Sequence, residues 1–470
     1  MKKILLILFL FPGALLQAQV ELTRQQCRDM ALQNSKQIEI ASKQKDKAVY
    51  TRKSYRANYL PKLSATGIGF YNQEKYSYSL DGGYLPTFVP DAEGKLQPNV
   101  VINPETGKPV IGADGNPVFK QYAFMPDISL ELGMRGVYSA GVSLEQPLYM
   151  GGKIRTAHRM AKVGEMIADE NVRLNRSEIA LESDEAYWQL LRVQEQVRVA
   201  AIYKTAVQGV LKNLQDAMTT GMAIRNDVLK AQVKYNEAQL MQQKAENGLV
   251  LSQMNLCRII GLALQTKIHI KDSLPETVSA DIWNYNDKVS QRPDYNMLVH
   301  NVDLKGKEVG LARADFLPQL GVTAGYNYSG GLELNGKGDA NASFNAMAAL
   351  EIPVFHWGEG RNKVKAARME QEISQLNLEK STDLMELEVA AARFNIKDAQ
   401  TRVSMCRNAL LQAQENLRIS TDQYQVGLET LTNLLEAQAQ WQENWSQWVD
   451  AKALLKLSET RYLKSIGQLE

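Results

Sequence analysis

The chain has 470 residues, with 54 Lys and Arg against 52 Asp and Glu and a formal net charge of +2. A balance this close carries no bulk signal for nucleic acid or anionic lipid, and the length allows two or three ordinary domains. The three cysteines, Cys27, Cys257 and Cys406, lie far apart with no metal or redox spacing, and read as small packing residues.

Lys2 and Lys3 precede an apolar run from Ile4 to Leu16, and Leu16-Gln17-Ala18 offers a small-residue cleavage site before Gln19. This order predicts a secretory signal over residues 1–18. Its run is too short to span about 30 Å of hydrocarbon. Removing it deletes two lysines and no acid, so the net charge falls to 0. No later apolar run is long enough for a spanning helix, so membrane insertion has to use β-strands.

A short helix is expected over Leu22–Asn58. The alternation of Leu63, Ala65, Gly67, Gly69 and Tyr71 then predicts a strand. Residues 73–135 hold seven of the fourteen prolines and turns such as Asp81-Gly82-Gly83 and Asp114-Gly115-Asn116-Pro117, which is loop chemistry. A second strand follows, with Tyr138, Ala140, Val142 and Leu144 alternating against Ser139, Gly141, Ser143 and Glu145. Lys153–Thr220 is free of proline and reads as one long helix, which turns at Gly221 and returns over Asn226–Ile260. Residues 261–292 form an irregular connector. The pattern then repeats: a short helix near Asn296–Asp315, a strand carrying Leu320, Val322, Ala324, Tyr326 and Tyr328, and a strand carrying Phe344, Ala346, Ala348 and Leu350. A long helix over Glu359–Val426 turns at Gly427, and a return helix covers Thr430–Ile466.

The repetition is a tandem duplication. Arg56-Ala57-Asn58-Tyr59-Leu60-Pro61-Lys62-Leu63 matches Arg313-Ala314-Asp315-Phe316-Leu317-Pro318-Gln319-Leu320 at an offset of 257. Leu144-Glu145-Gln146-Pro147-Leu148-Tyr149 matches Leu350-Glu351-Ile352-Pro353-Val354-Phe355 at 206, and Gly221 matches Gly427 at the same 206. The first repeat (19–260) therefore carries 51 residues more between its markers than the second (293–470), and segment 73–135 accounts for them. Four strands of about ten residues suit a transmembrane barrel, with the long loop outside the cell. Tyr138, Val142, Leu320, Val322, Phe344 and Leu350 are expected to face lipid, and Glu145 and Glu351 the lumen. Each long helix would run about 100 Å. Met160, Ile167, Leu174, Leu181 and Trp188, with Ile373, Leu387 and Phe394 in the second half, recur at sevens, a coiled-coil period. The fold class is thus mainly α, as tandem long helical hairpins, with a membrane β-barrel contribution. Four strands cannot close a barrel, so the chain has to associate.

The sequence offers little chemistry. Gly331-Leu332-Glu333-Leu334-Asn335-Gly336-Lys337 fits a phosphate loop until Gly338, where Ser or Thr is required, and a hairpin is the better reading. His158, His269, His300 and His356 show no ligand spacing. Trp441, Trp445 and Trp448 share one helix face and read as packing. No nucleophile, base and orienter set appears, so neither an enzyme nor a cofactor is expected.

The chain resembles the TolC-type outer-membrane efflux family over essentially its whole mature length. Tyr424-Gln425-Val426-Gly427 through Leu434-Leu435-Glu436-Ala437-Gln438 carries the resemblance, with Arg292-Pro293-Asp294 and the paired Leu-Pro motifs at Pro61 and Pro318. The resemblance implies a homotrimer in the bacterial outer membrane, with a twelve-stranded barrel and an α-helical tunnel. It also implies a tip that meets a periplasmic adaptor, linked to an inner-membrane efflux pump or ABC transporter. Gly221, Met222, Gly427 and Leu428 then mark the tip and its docking surface. Asp227, Tyr424, Asn433 and Glu436 become candidate gate residues, with Asp227 and Tyr424 at positions that hold the closed tip by hydrogen bonds. Three copies of Glu436 would form a ring favouring cations. Asp227 has a second reading, as a cap of the returning helix. The chain departs from the family in its long segment 73–135 and in Glu429, where the family's gate can use Arg. A periplasmic adaptor would instead show one hairpin flanked by a compact β module, and a structural coiled-coil surface protein one unbroken heptad array.

Overall fold

The computed structural model describes residues 20–134, 136–270 and 272–469; the expected signal over 1–18 lies outside them. In chain order the first repeat runs β1 (Val20–Glu21), α1 (Arg24–Asn34), α2 (Lys36–Ala57), β2 (Lys62–Phe70), β3 (Lys75–Leu80), β4 (Gly83–Pro86), β5 (Phe88–Pro90), β6 (Leu96–Pro98), β7 (Tyr122–Met125), β8 (Ile128–Gly133), β9 (Val137–Met150), α3 (Lys153–Thr219) and α4 (Arg225–Ile260). After β10 (Ile268–His269) the second runs α5 (Pro293–Ala314), β11 (Gln319–Gly330), β12 (Glu333–Leu334), β13 (Asn341–Glu351), α6 (Glu359–Gln425) and α7 (Leu431–Ser465). These elements gather into two compact units. Residues 57–152 and 316–355 form a strand unit, and the remainder forms a helical unit.

In the strand unit the four expected strands make one antiparallel sheet in the order β13-β11-β9-β2. Leu320 lies opposite Leu350 and Tyr326 opposite Phe344. Val142 lies opposite Tyr326, and Tyr138 opposite Gly330. Successive residues point to opposite faces, so Tyr138, Val142, Leu320, Val322, Phe344 and Leu350 all share one face. Glu145 and Glu351 stand on the other. The outer edges of β2 and β13 pair with no strand among the described residues.

Segment 73–135 is not the irregular loop expected from its turn residues. β3 pairs with β8, β4 with β7 and β5 with β6, and isolated bridges such as Val100–Phe119 and Ile111–Pro117 continue the ladder. The glycines and prolines mark nested hairpin ends, and strands of three to six residues between them leave too short a pattern to read. The phosphate-loop candidate is a hairpin turn: Asn335 (φ 53°) and Gly336 (φ 71°) form a two-residue connection, and Leu334 and Lys337 exchange backbone hydrogen bonds.

The helical unit follows the duplication closely. α3 and α6 are both 67 residues long. α3 packs on α4 and α7, and α7 on α6, so α4 and α6 are the outer members of the row of long helices. α5 begins at Pro293 rather than Asn296, because proline suits a first helical position. The helix expected over Leu22–Asn58 is broken at Ser35, which caps α1 and starts a new hydrogen-bonded turn. The connector is partly ordered, since β10 pairs in parallel with β1. No helix among the described residues is long and apolar enough to cross a membrane.

The heptad rows behave differently in the two halves. Trp188 is buried, and Met160, Ile167, Leu174 and Leu181 are half-buried. Ile373, Leu387 and Phe394 on α6 are exposed. The covered row of α6 is instead Val389, Ala392, Ile396, Ala399 and Val403, which packs against α7 in alternating steps of three and four. Cys27 and Cys257 sit in one apolar cluster with Tyr187 and Leu190, and burial, with the Asp184 charge, pushes the Cys27 thiol up to about 12. The Trp441 and Trp445 rings lie 5.1 Å apart along α7, and Lys452 Nζ of the same helix lies 3.7 Å from the Trp448 ring centre. Of the three tryptophans, Trp445 packs on the apolar cluster that holds Tyr187 and Leu190.

Candidate functional site at the hairpin turns

Both long helices end in the same way. Met222 N donates to Ala217 O and Gly221 N to Met218 O; Leu428 N donates to Gln423 O and Gly427 N to Tyr424 O. This is a Schellman motif, whose C′ residue must be left-handed. Gly221 (φ 77°) and Gly427 (φ 76°) supply it. Each turn presents one apolar side chain to solvent, Met222 and Leu428, both 80% exposed.

The returning helices start differently. Thr430 caps α7, its hydroxyl accepting from Asn433 N at 3.3 Å. α4 has Ile224 at its cap and no side-chain cap hydrogen bond. Asp227 therefore does not cap through its side chain. It lies in the first turn of α4, where its charge favours the helix dipole, with Oδ1 3.6 Å from Lys230 Nζ.

An apolar cluster joins the four long helices just behind the turns. Leu211 and Leu214 of α3, Ala231 of α4, and Leu431 and Leu435 of α7 are buried, and Tyr424 of α6 packs on them. Burial and then the Asp227 charge push the Tyr424 phenol up. Asp227 and Tyr424 share no hydrogen bond among the described residues. Asn433 and Glu436 are exposed on α7.

Glu436 lines a groove of about 480 Å³ between α4 and α7, with Lys230, Val233, Lys234 and Leu435 among its walls. Lys230 and Glu436 are the matched positions of opposite charge in the two repeats, and the fold sets them on one groove. Sequence reading singled out Glu436, but missed the groove and its apolar floor, because neither Val233 nor Leu435 belongs to a polar motif.

The arrangement offers charged and hydroxyl groups around a helical turn but no reacting set. The sequence matches the family described as outer membrane efflux protein over residues 114–262 and 284–468. Among similar proteins, the outer membrane protein TolC of Vibrio cholerae is 23% identical over 372 residues, 74% of this chain and 81% of that one. The alkaline protease secretion protein AprF of Pseudomonas aeruginosa is 25% identical over 250 residues, 52% of this chain and 51% of its own length. The fold matches the crystal structure of the outer membrane protein VceC of Vibrio cholerae with a TM-score of 0.70 at 16% identity, covering 94% of this chain and 96% of that one. The chain belongs to the outer membrane efflux protein family, and its place is the outer membrane.

Proposed function

We propose that three copies of this chain close into a twelve-stranded barrel continued by a helical tunnel, and that the assembly is the exit duct of a tripartite efflux or type I secretion system. The observation that carries the reading is the four-stranded sheet with two open edges. An open sheet edge cannot stand in hydrocarbon, and about eight strands are the practical minimum for closure. The helical unit supports the same conclusion. Leu229, Val233, Leu240 and Leu251 of α4 are exposed, as are Ile373, Leu376, Leu387 and Phe394 of α6. These are apolar rows on the two outer long helices, which suit a head-to-tail contact that closes a ring.

Two hairpins alternating with strand pairs argue against the single-hairpin adaptor and the unbroken coiled coil. In this reading Met222 and Leu428 at the turns dock a periplasmic adaptor, which links the duct to an inner-membrane pump or ABC transporter. Asp227, Tyr424, Asn433 and Glu436 then line or brace the gate. The apolar face that carries Val322 and Phe344 meets lipid, and Glu145 and Glu351 face the lumen. The test is conductance of the detergent-extracted protein in planar bilayers, together with sensitivity of a deletion strain to a panel of toxic compounds. Single-channel steps and raised sensitivity, restored by the gene, are expected. An assembly that never conducts and a deletion that changes nothing would overturn the reading.

A further inference from the structure

A duplicated chain states each seam inside its repeat twice, and the second statement checks the first. The seam inside the first repeat joins β2 to β9 and pairs Lys62 with Glu145, Leu63 with Leu144 and Gly69 with Tyr138. Adding 257 to the β2 numbers and 206 to the β9 numbers gives Gln319 with Glu351, Leu320 with Leu350 and Tyr326 with Phe344. All three are pairs of the β11–β13 seam. The transposition therefore holds at the level of single residues.

The seam between repeats, β9–β11, has no such counterpart within one chain. Its transposed form would join β13 to the strand equivalent to β11, which is β2. These are the two strands whose outer edges are open. We infer that β13 of one copy pairs with β2 of the next copy in the transposed β9–β11 register, and that β13 lengthens from Glu351 to Phe355 as it does so. This rests on the proposed closure of the sheet by copies of the chain, and it specifies the contact.

The observed pairs Glu145–Thr323, Leu144–Ala324, Val142–Tyr326 and Gly141–Asn327 become Glu351 with Thr66, Leu350 with Gly67, Ala348 with Gly69 and Met347 with Phe70 of the next copy. The Glu–Thr pair is identical in residue type at both seams. The faces also agree: Leu350 and Ala348 meet Gly67 and Gly69 on the apolar face, while Phe70 and Met347, both exposed in the single chain, cover one another on the opposite face.

The register also accounts for an asymmetry between the repeats. Gln146–Tyr149 are part of β9 and lie beside β11, with a bulge that skips Leu148. Their equivalents 352–355 belong to no strand in the single chain. Ile352 would pair with Ala65 and Phe355 with Leu63 of the next copy. Val354, 89% exposed, would be the bulged residue in the place of Leu148. The segment differs from its counterpart because its neighbouring strand belongs to another molecule.

Disulfide crosslinking between copies tests the register. Glu351→Cys is combined in turn with Ser64→Cys, Thr66→Cys and Ile68→Cys, all on one face of β2, in a Cys406→Ser background. Directly opposed Cβ atoms lie about 4.5–5.5 Å apart and diagonal ones about 7–8 Å, and a disulfide needs about 3.5–4.5 Å. The Thr66→Cys combination should shift the chain to covalent multimers on a non-reducing gel after mild oxidation, while the other two stay mainly monomeric. Phe70→Cys with Met347→Cys should shift likewise, which covers the case in which a change at Thr66 or Glu351 disturbs folding. Native mass is measured on every variant. Crosslinking that peaks at Ser64 or Ile68, or fails at both predicted pairs in an intact multimer, overturns the register. A monomer in wild type overturns the proposed assembly itself.

Discussion

Gly221 and Gly427 hold φ near +77° with nothing within 4 Å of the place a Cβ would take. Alanine at either position therefore meets backbone strain but no clash. Gly427→Ala should cost about 1–2 kcal/mol, read as lost thermal stability with the oligomer intact; an unchanged melting temperature would show that the turn relaxes. Asp184 is a different case. It is fully buried and accepts hydrogen bonds from Arg24 and Arg28. Asp184→Ala leaves Arg28 largely buried without its carboxylate, and removing one partner of a buried pair costs about 3–5 kcal/mol. Loss of assembled protein in the membrane fraction is expected, and normal yield would contradict it. At the turns, Glu436→Ala should weaken cation selectivity in bilayers without loss of the multimer. Asp227→Ala with Tyr424→Phe should raise resting conductance. Wild-type values in both variants would move the gate elsewhere.

At the scale of elements, the face alternation of the sheet makes one substitution decisive. Val322→Lys puts a charge on the apolar face and should cost about 2–4 kcal/mol at mid-membrane depth, so unchanged assembly would reverse the proposed facing. The connector is held by Arg292, which donates to Asp294, Glu388 and the Ser465 carbonyl. Burial acts upward on the Asp294 carboxyl, but the hydrogen bonds and charge of Arg292 overcome it and hold the group below its ordinary 3.8. A depressed carboxyl contributes stability that is present above that ordinary value and lost as the pH falls below it. Asp294→Asn should therefore flatten the loss of stability below about pH 4, measured by thermal melts across pH. The long helices were legible to within a residue or so because proline-free runs and turn glycines recur at one offset. The four strands were legible because their period is two. The ladder in 73–135 was not, since its turn residues outnumber the pairs that alternate. The break at Ser35, the β1–β10 pair and the Asp184 cluster were not legible either. Each depends on residues brought together by the fold, and Arg28 and Asp184 lie 156 positions apart. Candidate gate residues could be named from the resemblance, but the groove lined by Lys230 and Glu436 needed the packing of α4 and α7 near the turns.

At the scale of the whole molecule, the duplication leaves one sheet with two open edges and one row of helices with apolar residues exposed on both outer members. In the proposed reading such a chain completes itself with further copies, and the family to which it belongs works in the outer membrane. The most direct test is the native mass of the protein extracted from outer membranes in mild detergent. Three chains per particle are expected, stable to dilution. A stable single chain that still partitions with the outer membrane would contradict closure of the barrel by copies of this protein.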